Sequence, residues 1–264
     1  MSLSLQKASF LKRISAYILD FILVLMLTTG AALAVSAIVN YDACFDAYQT
    51  RRESFYVKIE EKYEIDLRLS TEEYEALSAE DRAAYNATQK IALSELDELL
   101  QADQEFMALQ SKIFTYVLLI TSIGILFGVF GTYFVIPLFF KNGQTLGKKV
   151  FGLAVMRTNC VKISNPVLFI RSIVGVYAME TMFPIFIIVM TYFGLLGIVG
   201  LVVLALFLIL EIGVMIATQT NSCIHDLLSD TVVVDFASQQ IFDTEEDLIA
   251  YKQAKHEEAV NNQH

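Results

Sequence analysis

The sequence predicts an all-α polytopic membrane protein with four transmembrane helices, an extracytoplasmic helical hairpin and a small cytoplasmic β-hairpin. Three observations predict it. Apolar residues make up 55% of the 264 residues although the formal net charge is −10, a larger apolar share than ordinary globular chains carry. They gather into uncharged stretches at 21–39, 113–140 and 181–210, and about 20 apolar residues in a helix cross a hydrocarbon core roughly 30 Å thick. Short segments rich in Lys and Arg flank these stretches, whereas most acids fall in one long segment, 41–112.

Residues 1–12 are a basic head, with Lys7 and Lys12 followed by Arg13. Residues 13–40 form the first span. Its apolar stretch after Asp20 is longer than the roughly 7–15 residues of a signal-peptide core, and an aspartate at the start of that core is foreign to a signal sequence. The segment is expected to be a retained helix. Residues 113–140 form the second span, and 141–165 a loop with Lys141, Lys148, Lys149, Arg157 and Lys162 and no acid. Short Lys/Arg-rich loops stay in the cytoplasm, so the head and this loop lie inside, two spans apart. Segment 41–112, with 17 acids against 8 bases, then lies outside.

Thr181 to Leu210 is too long for one ordinary span. Pro184, Gly194, Gly197 and Gly200 offer breaks, so 166–218 is read as a third span near 167–192, a turn at Phe193–Gly197 and a fourth span near 197–218. An interfacial helix over 166–180 is the rival, favoured by Arg171 and Glu180. The tail, 219–264, returns to the cytoplasm, placing the protein in the plasma membrane with both termini inside. In the insert, Ser70 with Glu73 and Ser78 with Asp81 mark helix starts. The absence of Pro and Gly from Tyr41 to Leu67, and of Pro from Ala79 until Pro137, allows helices running on from both spans. Leu93, Leu96, Leu99 and Leu100 suit a packed seam of the hairpin. The alternation in "KVFGLAVMR", the turn at Thr158-Asn159-Cys160 and "VKIS" predict a β-hairpin, to which "DTVVVDF" at 230–236 adds a third strand.

Few residues point to chemistry. Asp20 lies seven residues past Arg13, about two turns and 10.5 Å along the axis, too far for a bond within the helix. A carboxylate at that depth costs a few kcal/mol unless paired, hydrated or protonated. Glu211 lies at a similar depth in the last span, so Asp20 and Glu211 form a candidate ion path if those spans touch. Arg171, His225 and the two lysines after "GQTLG" are the available partners. A structural ion-pair cluster is the competing reading. Gly143 and Gly147 bracket Gln144-Thr145-Leu146 without the spacing of a phosphate-binding loop. Cys44, Cys160 and Cys223 have no metal-type spacing. With no nucleophilic triad or metal cluster, the chain is expected not to be an enzyme, to carry no cofactor or metal, and to bind no nucleic acid.

Three pieces in order, "ASFLKRISAYILDFIL" at 8–23, "GQTLGKKVFGLAVMRTN" at 143–159 with Arg171 after it, and "HDLLSDTVVV" at 225–234, resemble the RDD family of bacterial membrane proteins. The resemblance covers about 1–40 and 113–236. It implies that Arg13, Asp20 and Asp226 are the arginine and two aspartates of the family's name, and that Ala16, Gly143, Thr145, Gly147, Arg171, His225 and Thr231 are their usual surroundings. Segment 41–112 departs from the family, whose first two spans are joined by a much shorter connection. The resemblance implies cation or small-solute transport as the function to expect. The alternative is a non-transporting scaffold or assembly factor that binds an extracytoplasmic protein partner through 41–112. The bilayer is the partner in either case. A bundle of only four spans calls for a homo-oligomer if it transports, and Gly124, Gly128 and Gly131 suit either a contact between copies or packing within the chain.

Overall fold

The computed structural model describes residues 8–218 and 220–261. Lys7 of the basic head and His264 of the tail lie outside the described residues. Among the described residues four helices are long and apolar enough to cross a membrane: Phe10–Val39 (α1), Gln104–Phe139 (α5), Asn165–Tyr192 (α7) and Gly197–Ala217 (α8). Phe193–Leu196 link α7 to α8, with Gly194 and Gly197 at positive φ, the left-handed conformation that glycine adopts without steric cost. Segment 166–180 is thus part of one long helix. The chain divides into two compact units, 33–121 and the remainder.

Within 33–121 a helical hairpin is built from Tyr41–Tyr63 (α2) and Ala79–Ala102 (α4), joined through Thr71–Ala76 (α3). Ser70 and Glu73 complete the predicted capping box, and the Ser78 side chain accepts from the Asp81 N–H. The seam buries Ile59, Ala92 and Leu96, with Phe55, Tyr63, Leu99 and Leu100 packed beside them. Leu93 is exposed and outside the seam. Neither helix runs unbroken from its neighbour. Asn40 adopts the left-handed conformation between α1 and α2, with φ 54°, which asparagine tolerates better than most residues. Asp103 interrupts α4 and α5. Its carboxylate caps the Phe106 N–H at 2.7 Å and takes both ends of the Arg51 guanidinium. A side chain that satisfies orphan donors makes a break cheap where no proline or glycine marks it.

In the second unit, α5 meets α1 through glycines. A Cβ at Gly124 would crowd Ala32 and the Thr28 carbonyl, and one at Gly128 would strike the Thr28 hydroxyl and the Val24 carbonyl. The small residues therefore serve packing within the chain. Helix α5 is π-helical over Phe130–Val135 and α7 over Ile170–Met182. The two meet where the Ser172 hydroxyl donates to the Tyr133 carbonyl at 2.7 Å.

The small sheet is present, but its pairing differs from the expected hairpin. Leu153–Arg157 (β1) pairs antiparallel with Thr231–Asp235 (β2), in register from Leu153 opposite Asp235 to Arg157 opposite Thr231. The "VKIS" return contributes two isolated bridges, Met156 with Lys162 and Val161 with Phe242. Burial explains the choice. Val232 and Val234 join Ala154, Met156, Phe242 and Leu248 on one face, while Leu153, Val155 and Val233 pack on the other with Ala16, Ile163 and Leu168. A strand covered on both faces needs a continuous apolar run, which Val232, Val233 and Val234 supply and "VKIS", interrupted by Lys162, does not. Leu146–Val150 (α6) precedes β1, Ile224–Leu228 (α9) precedes β2, and Glu245–Asn261 (α10) closes the described chain.

Candidate functional site

Helix α1 is exposed along most of its length, and its two buried residues are Ala16 and Asp20. One turn apart, they share a face, and that face receives α6. Thr145 caps α6 by accepting from the Lys148 N–H, and its hydroxyl donates to Asp20 at 2.5 Å. The Gly147 N–H donates to the other carboxylate oxygen at 2.7 Å. Any Cβ at Gly147 would overlap the Ala16 carbonyl and lie 2.9 Å from the Asp20 Cγ, so only glycine lets the backbone approach this closely. The Lys148 Nζ stands 3.9 Å from Asp20 and 5.4 Å from the centre of the Tyr133 ring. Burial pushes the Lys148 amine below its usual 10.5 to about 8; Arg171 and Arg13 act with burial, and Asp20 and Asp226 oppose it.

The second aspartate is Asp226 on α9, with no exposed side-chain surface. Arg171, from the π-helical part of α7, donates to it at 2.6 and 3.2 Å and reaches the Thr231 hydroxyl at 3.2 Å. Arg13 approaches from α1: its guanidinium lies 3.6 Å from Asp226 and donates to the Thr220 carbonyl at 3.0 Å. The Cys223 N–H adds a longer bond of 3.3 Å. Burial pushes the Asp226 carboxyl up, but His225, Arg171 and Arg13 outweigh it and hold the group well below the usual carboxylate range. Helices α1 and α7 and strand β2 are thus tied to one anion.

A third group lies beside this tie. Glu180, on α7, accepts from the His225 backbone N–H at 2.8 Å and meets its Nδ1 at 2.6 Å. A Cβ at Gly175 would overlap His225, so that glycine lets α9 close onto α7. Glu211, on α8, is half-buried. No hydrogen bond or ion pair to Glu211 is found among the described residues.

The structure separates residues that the sequence grouped. Among the described residues Asp20 makes no hydrogen bond or ion pair with Glu211 or Arg171. It is satisfied by α6, while Arg171 serves Asp226. Arg13, Asp226, His225 and Thr231 come together, as do Ala16, Asp20, Thr145 and Gly147. Gly143 supports the loop before α6 at φ +59°. Lys148 was legible only as one of two lysines after "GQTLG". The Glu180–His225 pair was not legible. Its one sequence signal is an ionisable residue inside an apolar segment. Among the described residues no cluster of three or more His, Cys, Asp or Glu side chains is arranged to hold a metal.

A model of the RDD family matches residues 7–230. No curated protein and no solved structure matches the chain.

Proposed function

Because the chain belongs to the RDD family, we propose that it is a multi-pass plasma-membrane protein that moves a cation or small solute, with both termini in the cytoplasm. In this reading Arg13, Asp20, Arg171 and Asp226 are the fixed frame, and Glu180, His225 and Glu211 handle the ion. One observation carries it. The frame carboxylates are already saturated by cations, hydroxyls and N–H groups, whereas Glu211 stands inside an apolar helix with no hydrogen bond or ion pair among the described residues. Ionisable groups are costly at membrane depth, and those that are not paired off mark ion and proton routes. A carboxylate joined to an imidazole at 2.6 Å, as in Glu180 with His225, can pass a proton between its members. Transport through so few helices calls for a homo-oligomer. The reading assigns no catalytic step.

A scaffold role is the second reading. It is favoured by the compactness of 33–121, which has its own core and ion pairs and fits a protein partner outside the cell. Sodium and proton flux in vesicles holding the purified protein separates the two. Transport predicts flux in the wild type, its loss in Glu211→Gln and Glu180→Gln at unchanged protein yield, and its survival when 45–108 is replaced by a short linker. A folded wild type that carries neither ion would remove the assignment of Glu180, His225 and Glu211 to an ion route and favour the scaffold.

A further inference from the structure

A cleft of about 350 Å³ lies between the end of α5 and the start of α7, lined by Leu138, Phe139, Phe140, Asn142, Lys162 and Asn165 among others. Helices α5 and α7 are consecutive candidate spans. The end of one and the start of the next must lie at the same membrane surface, so the cleft opens at the depth of the lipid headgroups. Its lining is of two kinds. Phe139 is 82% exposed and Leu138 46%, an apolar surface. Lys162, Asn142 and Asn165 supply the polar part.

The polar part is cationic. Residues 141–165 carry five basic side chains and no acid. The Lys149 ammonium is held 3.8 Å from the centre of the Phe140 ring, which fixes a second positive charge beside the cleft. The counter-charge to Lys162 is Asp243 at 3.7 Å, whose side chain is 84% exposed. An exposed pair at that distance is weak and is easily displaced by a doubly coordinated phosphate oxygen. A free phosphate would satisfy the cations but leave Phe139 and Leu138 uncovered. A lipid covers both, with its headgroup on Lys162 and its acyl chains along the end of α5.

We propose that the cleft between the ends of α5 and α7 binds the headgroup of an acidic phospholipid, anchored by Lys162 with Asn142 and Asn165. The inference is independent of the transport reading.

The test uses the full chain in bilayer nanodiscs of phosphatidylcholine containing a small fraction of phosphatidylglycerol. It follows the lipid retained after extraction by native mass spectrometry, and the unfolding midpoint of each variant in phosphatidylcholine alone. The wild type is expected to retain phosphatidylglycerol selectively. Lys162→Gln should weaken retention about fivefold, the weight of one lysine near an anionic surface, and Lys162→Arg should restore it. Asn165→Asp controls for folding: an acid in the first turn favours the helix but repels a phosphate, so its midpoint should hold or rise while retention falls. Equal retention in wild type and Lys162→Gln, or retention of phosphatidylcholine as strong as that of phosphatidylglycerol, would overturn the proposal. So would a wild type stabilised by millimolar inorganic phosphate that retains no lipid, since that outcome assigns the cleft to a free anion.

Discussion

Replacing Arg171 with methionine removes the guanidinium that stands 2.6 Å from Asp226. The carboxylate left behind is fully buried. Its remaining partners are Arg13 at 3.6 Å, the Cys223 N–H at 3.3 Å, the Thr231 hydroxyl at 3.4 Å and His225 at 3.5 Å. Taking one member from a buried ion pair costs about 3–5 kcal/mol, because the other charge stays desolvated without its partner. Arg13 softens the loss, which places it near the lower end. About 3 kcal/mol is roughly a 150-fold change in the folding equilibrium. Asp226→Asn is expected to cost a similar amount by leaving Arg171 unpaired. The double variant, Arg171→Met with Asp226→Asn, removes both charges and should recover roughly 2 kcal/mol of the summed losses. Equilibrium unfolding in mixed micelles, titrated with a denaturing detergent, measures all four proteins. A double variant whose loss equals the sum of the singles would refute the buried pair as a coupled unit, and so would an Arg171→Met protein within about 0.5 kcal/mol of wild type. The pH dependence follows the same logic. A carboxylate depressed in the fold stabilises above its unfolded value, about 3.9, and that contribution fades as the pH falls through the lower folded value. The difference between wild type and Asp226→Asn should therefore hold from pH 7 to about 4 and shrink only in stronger acid.

Lys148 is expected to give a dependence of the same sign in a higher pH window. Its folded value of about 8 lies below the usual 10.5, so the unfolded chain binds more protons between those limits. Stability should rise with pH across that window by up to about 3 kcal/mol, and Lys148→Met should flatten the rise in the same micelle titration. Gly128→Ala should destabilise by about 1–3 kcal/mol through overpacking, since its Cβ meets Thr28 and the Val24 carbonyl, whereas Gly213→Ala, with open space around it, should not. Comparing the two unfolding midpoints checks the α1–α5 contact. Thr145→Val removes both the cap of α6 and one donor to Asp20. It should cost about 1–3 kcal/mol, with Thr145→Ser retaining most of the stability.

How much of this was legible depends on the range of the interaction. The long helices follow from composition over some twenty consecutive residues, and Gly194 and Gly197 mark the turn between α7 and α8. The capping box at Ser70 and Glu73 spans four residues and could be read directly. Asn40 and Asp103 could not be read as breaks, because no proline or glycine stands there. Asp103 is justified by Arg51, 52 residues away in the chain.

By itself the sequence determined the apolar helices, the family motif and the presence of charges at membrane depth that had to find partners. The tertiary structure decided which partners they found. Nine residues in an ordinary α-helix are about two and a half turns, so Arg171 and Glu180 would face opposite sides of α7. Its π-helical course over Ile170–Met182 turns both toward α9, where one meets Asp226 and the other His225. The strand at 231–235 likewise took β1 as its partner across more than seventy residues because only that pairing buries both faces. Periodicity read at 3.6 residues per turn carries neither fact, since each is fixed by contacts between segments far apart in the chain.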